Sequence, residues 1–476
     1  MKTVNGNKLK VNAFLNVIRQ LVSVIFPLIT FPYVSRTLGV ECYGKVNYTA
    51  SIIGYISLIA GLGISNYAVR EGSRLREDYN KFVGFVKEIF TLNFLALMVS
   101  YIFLFIIILF YGNNETYRSL LLIQGIGVLF SVIGCEWLNI IYEDYFFITV
   151  RYIAFQTLSV ILILLLVKSP DDLLLYAVIG QIGGVFANVS NIIHFYKRWD
   201  VKLGFSFNWH IFSHLKYVLI LFGNAVSMLI YVNSDVTLIG IFRGDNEVGL
   251  YSVAVKIYTI VKQLLNAMMV VGVPQMSRWT GKKRKKEVDR QLDDILSTLL
   301  VFLIPSIVGL FCLSKQVIGV MAGNDYSTSV DILKVLSITL LFSTGVCFYS
   351  NLVLIPNNME KYILKATGIS AIFNIVLNAI FIPMFGMIAA AYTTLLSEAF
   401  SVIYMVVISR KKYFPKVSRI FFYCLISGAM IYICCFIVKF LMNGLIQTII
   451  YSLVLSAICW FVYWWLLIRC NKINLN

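Results

Sequence analysis

Along this chain, apolar runs long enough to cross a lipid bilayer as helices follow one another with only short polar breaks. A hydrocarbon core about 30 Å thick takes about 20 predominantly apolar residues per helix. Read at that length, spans fall at 12–37, 44–69, 82–110, 118–140, 147–167, 172–195, 212–241, 247–276, 294–314, 329–354, 362–382, 386–409, 418–440 and 444–468. The fold expected is all-α, a polytopic membrane protein of about 14 transmembrane helices.

Composition agrees with a lipid solvent. Of 476 residues, 59% are hydrophobic and 13% charged, against about 25% charged in a soluble domain. That leaves too little polar surface to cover a globule with water. The first apolar stretch is too long for a cleavable signal and carries Arg19, so it is expected to remain as the first helix. The net charge of +17 raises the question of nucleic acid. Most of the bases fall in short loops, where they set topology and attract anionic headgroups, so no nucleic-acid partner is expected. Cys135, Cys312, Cys347, Cys424, Cys434, Cys435 and Cys459 sit inside apolar runs and read as small hydrophobes rather than metal ligands.

The distribution of Lys and Arg tests the helix count. With the amino terminus inside, about 28 of these residues fall on inner segments and about seven on outer ones, the bias of the positive-inside rule. A miscounted helix in the first half would invert every later loop and destroy the bias. Both termini are therefore expected in the cytoplasm. Outer loops are short, which disfavours a sugar polymerase or ligase with a large external domain. The longest inner segment carries Lys282-Lys283-Arg284-Lys285-Lys286, readable as an anchor at an anionic leaflet or as a docking site for sugar-assembly enzymes.

A shift of about 205 residues, a spacing read against the membrane-repeat pattern, brings Gly39 and Gly44 onto Gly244 and Gly249, at the turns after the first and seventh helices. Two six-helix lobes related by a pseudo-two-fold axis along the membrane normal follow: 1–200 and 201–412, with 413–476 as two further helices.

Polar groups inside the spans point to chemistry, because a charge at mid-bilayer costs about 2.5–3.5 kcal/mol on insertion scales. The first helix carries Asn12, Asn16, Arg19, Gln20 and Ser23 on a narrow face. Asn47 lies on the second. The seventh carries Asn224, Ser227, Tyr231, Ser234 and Asp235, and the eighth Ser252, Lys256, Thr259, Lys262, Gln263 and Asn266. Gathered around one cavity, Arg19, Lys256 and Lys262 would attract a diphosphate, with Asp235 as their counter-charge. Asn16, Gln20, Asn47, Asn224, Tyr231, Gln263 and Asn266 suit sugar hydroxyls, and the apolar exterior suits a lipid tail.

Plainer readings stand beside these. Arg19 lies near enough to the inner surface to snorkel, and Asp235 either pairs with a lysine or binds a coupling proton or sodium ion. Glu136 and Arg151 read as an interfacial pair, and Glu398, Asn374 and Asn378 as interhelical hydrogen-bonding groups. His210 and His214 have i,i+4 spacing but no evident third ligand, so no metal site is expected. Ser169-Pro170-Asp171-Asp172 reads as a helix start.

The chain resembles the Wzx-type polysaccharide flippases of the multidrug/oligosaccharidyl-lipid/polysaccharide exporter superfamily. The resemblance is carried by Pro27 to Arg36 (PLITFPYVSR), Leu38-Gly39, Glu41, Tyr43-Gly44-Lys45-Val46-Asn47 and Ala68-Val69-Arg70-Glu71. Further blocks are Glu136-Trp137 with Glu143, Tyr145 and Ile148 to Arg151; Val248 to Ser252 with Lys256; and Asn374, Asn378, Pro383 and Phe385-Gly386. It departs from the pattern at Cys42, at Asn139 to Tyr142 and at Ala389 to Ala391. The resemblance implies alternating access that moves undecaprenyl-diphosphate-linked oligosaccharide (an O-antigen, capsule or exopolysaccharide unit) to the outer leaflet of the bacterial cytoplasmic membrane. It implies a transporter rather than an enzyme, no cofactor beyond a coupling proton or sodium ion, and contact with polysaccharide polymerase and chain-length machinery. Two alternatives belong to the same superfamily: a multidrug exporter, whose cationic cargo calls for an acidic cavity, and a peptidoglycan lipid-precursor flippase.

Overall fold

The computed structural model describes residues 6–112, 114–199, 203–270, 285–415, 419–442 and 444–469; within these, side chains are described except for 6–10, 12–14, 16, 17, 224, 227, 228, 231, 268, 270, 285, 419, 420 and 466–469. The expected sites Asn16, Asn224 and Tyr231, with Asn12 and Ser227, therefore lie outside the described side chains, as does most of the Lys282–Lys286 cluster.

The described chain is helical: α1 Gly6–Gly61, α2 Ile64–Leu75, α3 Tyr79–Phe110, α4 Glu115–Ile133, α5 Glu136–Ile141, α6 Tyr145–Leu166, α7 Leu173–Arg198 and α8 Ile211–Arg243. There follow α9 Asp245–Val270, α10 Lys285–Met321, α11 Ser329–Phe348, α12 Glu360–Phe385, α13 Met387–Ser409, α14 Arg419–Leu441 and α15 Leu445–Arg469. Among the described residues, 12 helical segments are long and apolar enough to cross a membrane. One of these, Ile18–Leu75, is bent at Gly39 into two crossings, and α8 carries a shorter apolar stretch, Ile211–Gly223. Large apolar side chains face outward, among them Phe110 at 85% and Phe440 at 84% exposure, an exterior matched to lipid.

Local sequence sets the ends of these helices. Asp78, Asn114 and Asp144 each accept a hydrogen bond at 3.3 Å from the backbone N–H three residues on, occupying donors that a helix start leaves orphaned. At the expected start near Pro170, Asp172 accepts from the N–H groups of Lys168 (2.8 Å) and Ser169 (3.0 Å). The tight turns after residues 38 and 243 each use a glycine at positive φ, 73° at Gly39 and 85° at Gly244, where a Cβ would be strained. The same turn thus recurs at the spacing the sequence repeat gave.

Two expected spans are interrupted. The run 44–69 ends at Gly61 and resumes as α2, with Leu62 (φ 45°) and Gly63 (φ 70°) between. The run 118–140 breaks at Gly134 and Cys135 (φ 42°), so that Glu136 opens a short new helix. Apolarity persists through both breaks, which is why hydropathy alone does not show them. Beyond α11, a π turn at Tyr349–Leu354 closes the helix.

By packing, the chain forms two compact units, Met1–Thr237 and Leu238–Asn476. Their boundary falls within α8 rather than at the 200/201 position read from the sequence. In the first unit, Tyr67, Phe82, Phe85 and Ile89 pack with Trp137, Leu138, Phe195 and Val218. In the second, Met269, Leu299, Phe348, Leu352 and Met405 form one core, while Cys312 and Leu313 meet Ile431 and Cys435, seating α14 against α10. At the end of α13, Tyr413 donates to Asp293 at 2.7 Å; burial and that bond push its phenol above the ordinary value. At another turn of this unit, Glu247 accepts from Arg243 Nε and from the N–H of Met387, each at 2.8 Å.

Candidate functional site

In the first unit, the break before α5 aims Glu136 at two guanidinium groups. Arg19 Nη2 lies 2.9 Å from Glu136 Oε1, and Arg151 Nη2 lies 2.6 Å from Oε2. Arg151 is 5% exposed and donates a further bond to the carbonyl of Ala187 at 2.6 Å. Its two terminal nitrogens bond Ala187 and Glu136 while its Nε stays buried without a partner, so it acts as a brace among α5, α6 and α7. Arg19 is 32% exposed, with its guanidinium 5.7 Å from the Tyr152 ring centre. A guanidinium offers five donors, and among the described residues Arg19 hydrogen-bonds only to Glu136. The sequence reading took Arg19 as a separate base and Glu136–Arg151 as a separate pair. The structure joins them into one Arg–Glu–Arg cluster with one more base than acid.

Gln20, the next residue, is exposed. Asn47 donates to the carbonyl of Tyr43 at 2.7 Å, one turn back on its own helix. Asp235 is 6% exposed.

In the second unit, α9 carries the polar stripe. At about 100° per residue, Ser252, Lys256, Thr259, Gln263 and Asn266 fall within roughly 80° of arc, while Lys262 stands about 40° or more outside it. That offset decides its partner. Lys262 Nζ lies 3.1 Å from Glu398 Oε1 on α13 and 5.6 Å from the centre of the Tyr258 ring. Lys262 is thus an interhelical ion-pair member, against its expected place as a free cavity base; Glu398, at 6% side-chain exposure, needs that counter-charge.

Lys256 differs. Half-buried, it makes no hydrogen bond or ion pair among the described residues. Gln263 is exposed, and the Asn266 Oδ1 atom is buried without a hydrogen-bond donor. Nearby in sequence to Glu398, buried Asn374, Asn378 and Thr393 are hydrogen-bonded to one another, tying α12 to α13.

The sequence reading missed a cavity of about 420 Å³ in the first unit, lined by Ser57, Gln124, Ser131 and Gln181 with Gly54 and Gly127. Gln124 donates to Thr49 at 3.0 Å and leaves its Oε1 buried without a donor. Two lone glutamines in apolar helices were the available signal. The reactive side chains brought together across the described residues are hydrogen-bonding and charged groups of a binding type. The cysteines described are free thiols.

Comparison with known proteins places this geometry. The polysaccharide biosynthesis protein family matches residues 9–280. The "Probable low-salt glycan biosynthesis flippase Agl15" of Haloferax volcanii is 27% identical over 190 residues, 40% of this chain and 39% of that relative, so that match spans about two fifths of its length. The "Putative O-antigen transporter" of Shigella dysenteriae is 24% identical over 80% of this chain and 95% of the relative; its namesake of Escherichia coli is 22% identical over 83% and 95%. Among solved structures, the lipid II flippase MurJ in an inward closed conformation superposes with a TM-score of 0.78 at 18% identity, over 97% of this chain and 100% of that one. An inward-facing multidrug resistance MATE family transporter gives 0.64 at 13%, over 83% and 97%. These two share the fold. A chain matched over more than half its length by one family, with relatives aligned nearly end to end, is a member of the polysaccharide biosynthesis protein family.

Proposed function

We propose that this multi-pass membrane transporter is a Wzx-type flippase that carries undecaprenyl-diphosphate-linked oligosaccharide from the cytoplasmic to the outer leaflet of a bacterial cytoplasmic membrane. The observation that carries this reading is Lys256, a cation without an acidic partner among the described residues, on a helix stripe of amide and hydroxyl groups. A lone ammonium in an apolar surrounding is costly unless it meets an anion during the working cycle. The diphosphate supplies that anion, and the hydroxyl-rich stripe suits the sugars. Arg19, partly exposed beside Glu136, serves the same cargo in the first unit.

The excess of base in the Arg19–Glu136–Arg151 cluster, together with Lys256 outside any ion pair among the described residues, favours an anionic cargo over the cationic one of a drug exporter. The O-antigen transporters aligned over 95% of their length support oligosaccharide over peptidoglycan precursor. Buried Asp235 is the group we assign to ion coupling, and the loop charges support both termini lying in the cytoplasm.

The test is reconstitution. Purified protein in liposomes containing a fluorescent undecaprenyl-diphosphate oligosaccharide should make the inner-leaflet probe accessible to an added quencher. Lys256→Ala should slow this at least tenfold, and Lys256→Glu should abolish it. Undiminished flipping by Lys256→Glu would sink the proposal.

A further inference from the structure

We propose that Glu88, His210 and His214 form a binding site for a divalent transition-metal ion of the zinc type, joining α3 to the start of α8. The two histidines stand four residues apart, and the fold brings to them, from more than a hundred residues away, the third group the sequence reading lacked. Glu88 Oε2 lies 3.1 Å from His210 Nδ1 and 3.0 Å from His214 Nε2, and the three atoms lie within 4.8 Å of one another. Zinc–nitrogen and zinc–oxygen bonds of about 2.0–2.2 Å set ligand atoms about 3.3 Å apart on a tetrahedron. Two edges of that tetrahedron are already close to length. The third is adjustable, because His210 is 67% exposed and free to turn.

The surroundings are those of a ligand set. The Tyr67 hydroxyl lies 2.7 Å from His214 Nδ1. With an ion bound in place of the Nε2–Glu88 hydrogen bond, the hydroxyl oxygen can accept the hydrogen bond of Nδ1–H, leaving a bare Nε2 toward the site, the usual arrangement behind a metal-bound imidazole. Asn208 Nδ2 donates to Glu88 Oε1 at 3.1 Å, which holds the carboxylate and leaves Oε2 toward the rings. His214 is 10% exposed and Glu88 14%, so two ligands are sheltered while the third opens the entry path and leaves a coordination position for water. Two imidazoles and one carboxylate suit zinc or cobalt; magnesium and calcium favour all-oxygen sets. A bound ion would cross-link α3 and α8 at their starts. This inference is independent of the cargo.

Full-length protein in detergent, stripped with chelator, would be titrated with Co²⁺ and then Zn²⁺, followed by calorimetry and by the visible absorption of cobalt. One ion per chain is expected, with tetrahedral cobalt bands that zinc abolishes. His210→Ala, at an exposed position, and Glu88→Gln should weaken binding at least tenfold at an unchanged melting temperature. Tyr67→Phe, which keeps all three ligands, should weaken it by about 10–100-fold. Lack of saturable binding at micromolar metal would overturn the site. So would unchanged affinity in His210→Ala, which would place the ion on other groups such as the free cysteines.

Discussion

Lys262 and Glu398 meet at 3.1 Å across α9 and α13, and this contact separates the two lysines of one helix into different trades. Lys262 holds helices together; Lys256 is outside any such pair among the described residues and is the group proposed above to meet the cargo. Lys262→Ala strands a carboxylate that is 6% exposed. Breaking a buried pair this way costs about 3–5 kcal/mol, which should appear as a marked drop in melting temperature in detergent. Lys262→Met combined with Glu398→Gln should recover most of the loss. A double variant as unstable as the single one would show that the pair is not the cause.

Lys256→Ala should leave the melting temperature nearly unchanged, within about 0.5 kcal/mol, because it breaks no interaction among the described residues. Cells bearing it should nonetheless display less surface polysaccharide while lipid-linked sugar accumulates. A stability loss matching that of Lys262→Ala would reveal a structural role.

The Arg19–Glu136–Arg151 cluster predicts an order of effects. Glu136→Gln removes the charge facing Arg151, which is 5% exposed, and should destabilise more than Arg19→Ala, whose side chain is 32% exposed. Thermal melts of the purified variants give the order directly; the reverse ranking would mean that Arg19 is the brace.

Gly39→Ala puts a side chain at φ 73° and ψ 176°, a region populated essentially by glycine alone. A loss of about 1–3 kcal/mol is expected, with little change for Gly61→Ala, where a Cβ meets nothing within 4 Å. Comparable melts for the two would remove the turn argument.

Much of the fold was readable because a bilayer imposes a length on every crossing and because Ser169-Pro170-Asp171-Asp172 marks a helix start. The turn at Gly39 was readable through its counterpart at Gly244. Partnerships were not. Periodicity tells which face of α9 holds Lys262, but not that Glu398, 136 residues away, is opposite it. Arg19 and Glu136 are 117 positions apart, and the break that aims Glu136 lies in an unbroken apolar run, as does the break after Gly61. The third group beside His210 and His214 was hidden for the same reason. Sequence spacing constrains neighbours on one helix; packing chooses neighbours across helices.

Glu247 carries one more implication. A single carboxylate keeps three helix ends in step, the last residue of α8, the first turn of α9 and the opening N–H of α13. Any force that deflects one of these ends must carry the other two with it. Glu247→Gln should therefore loosen the last residue of α8 and the start of α13 together, at one rim of the second unit.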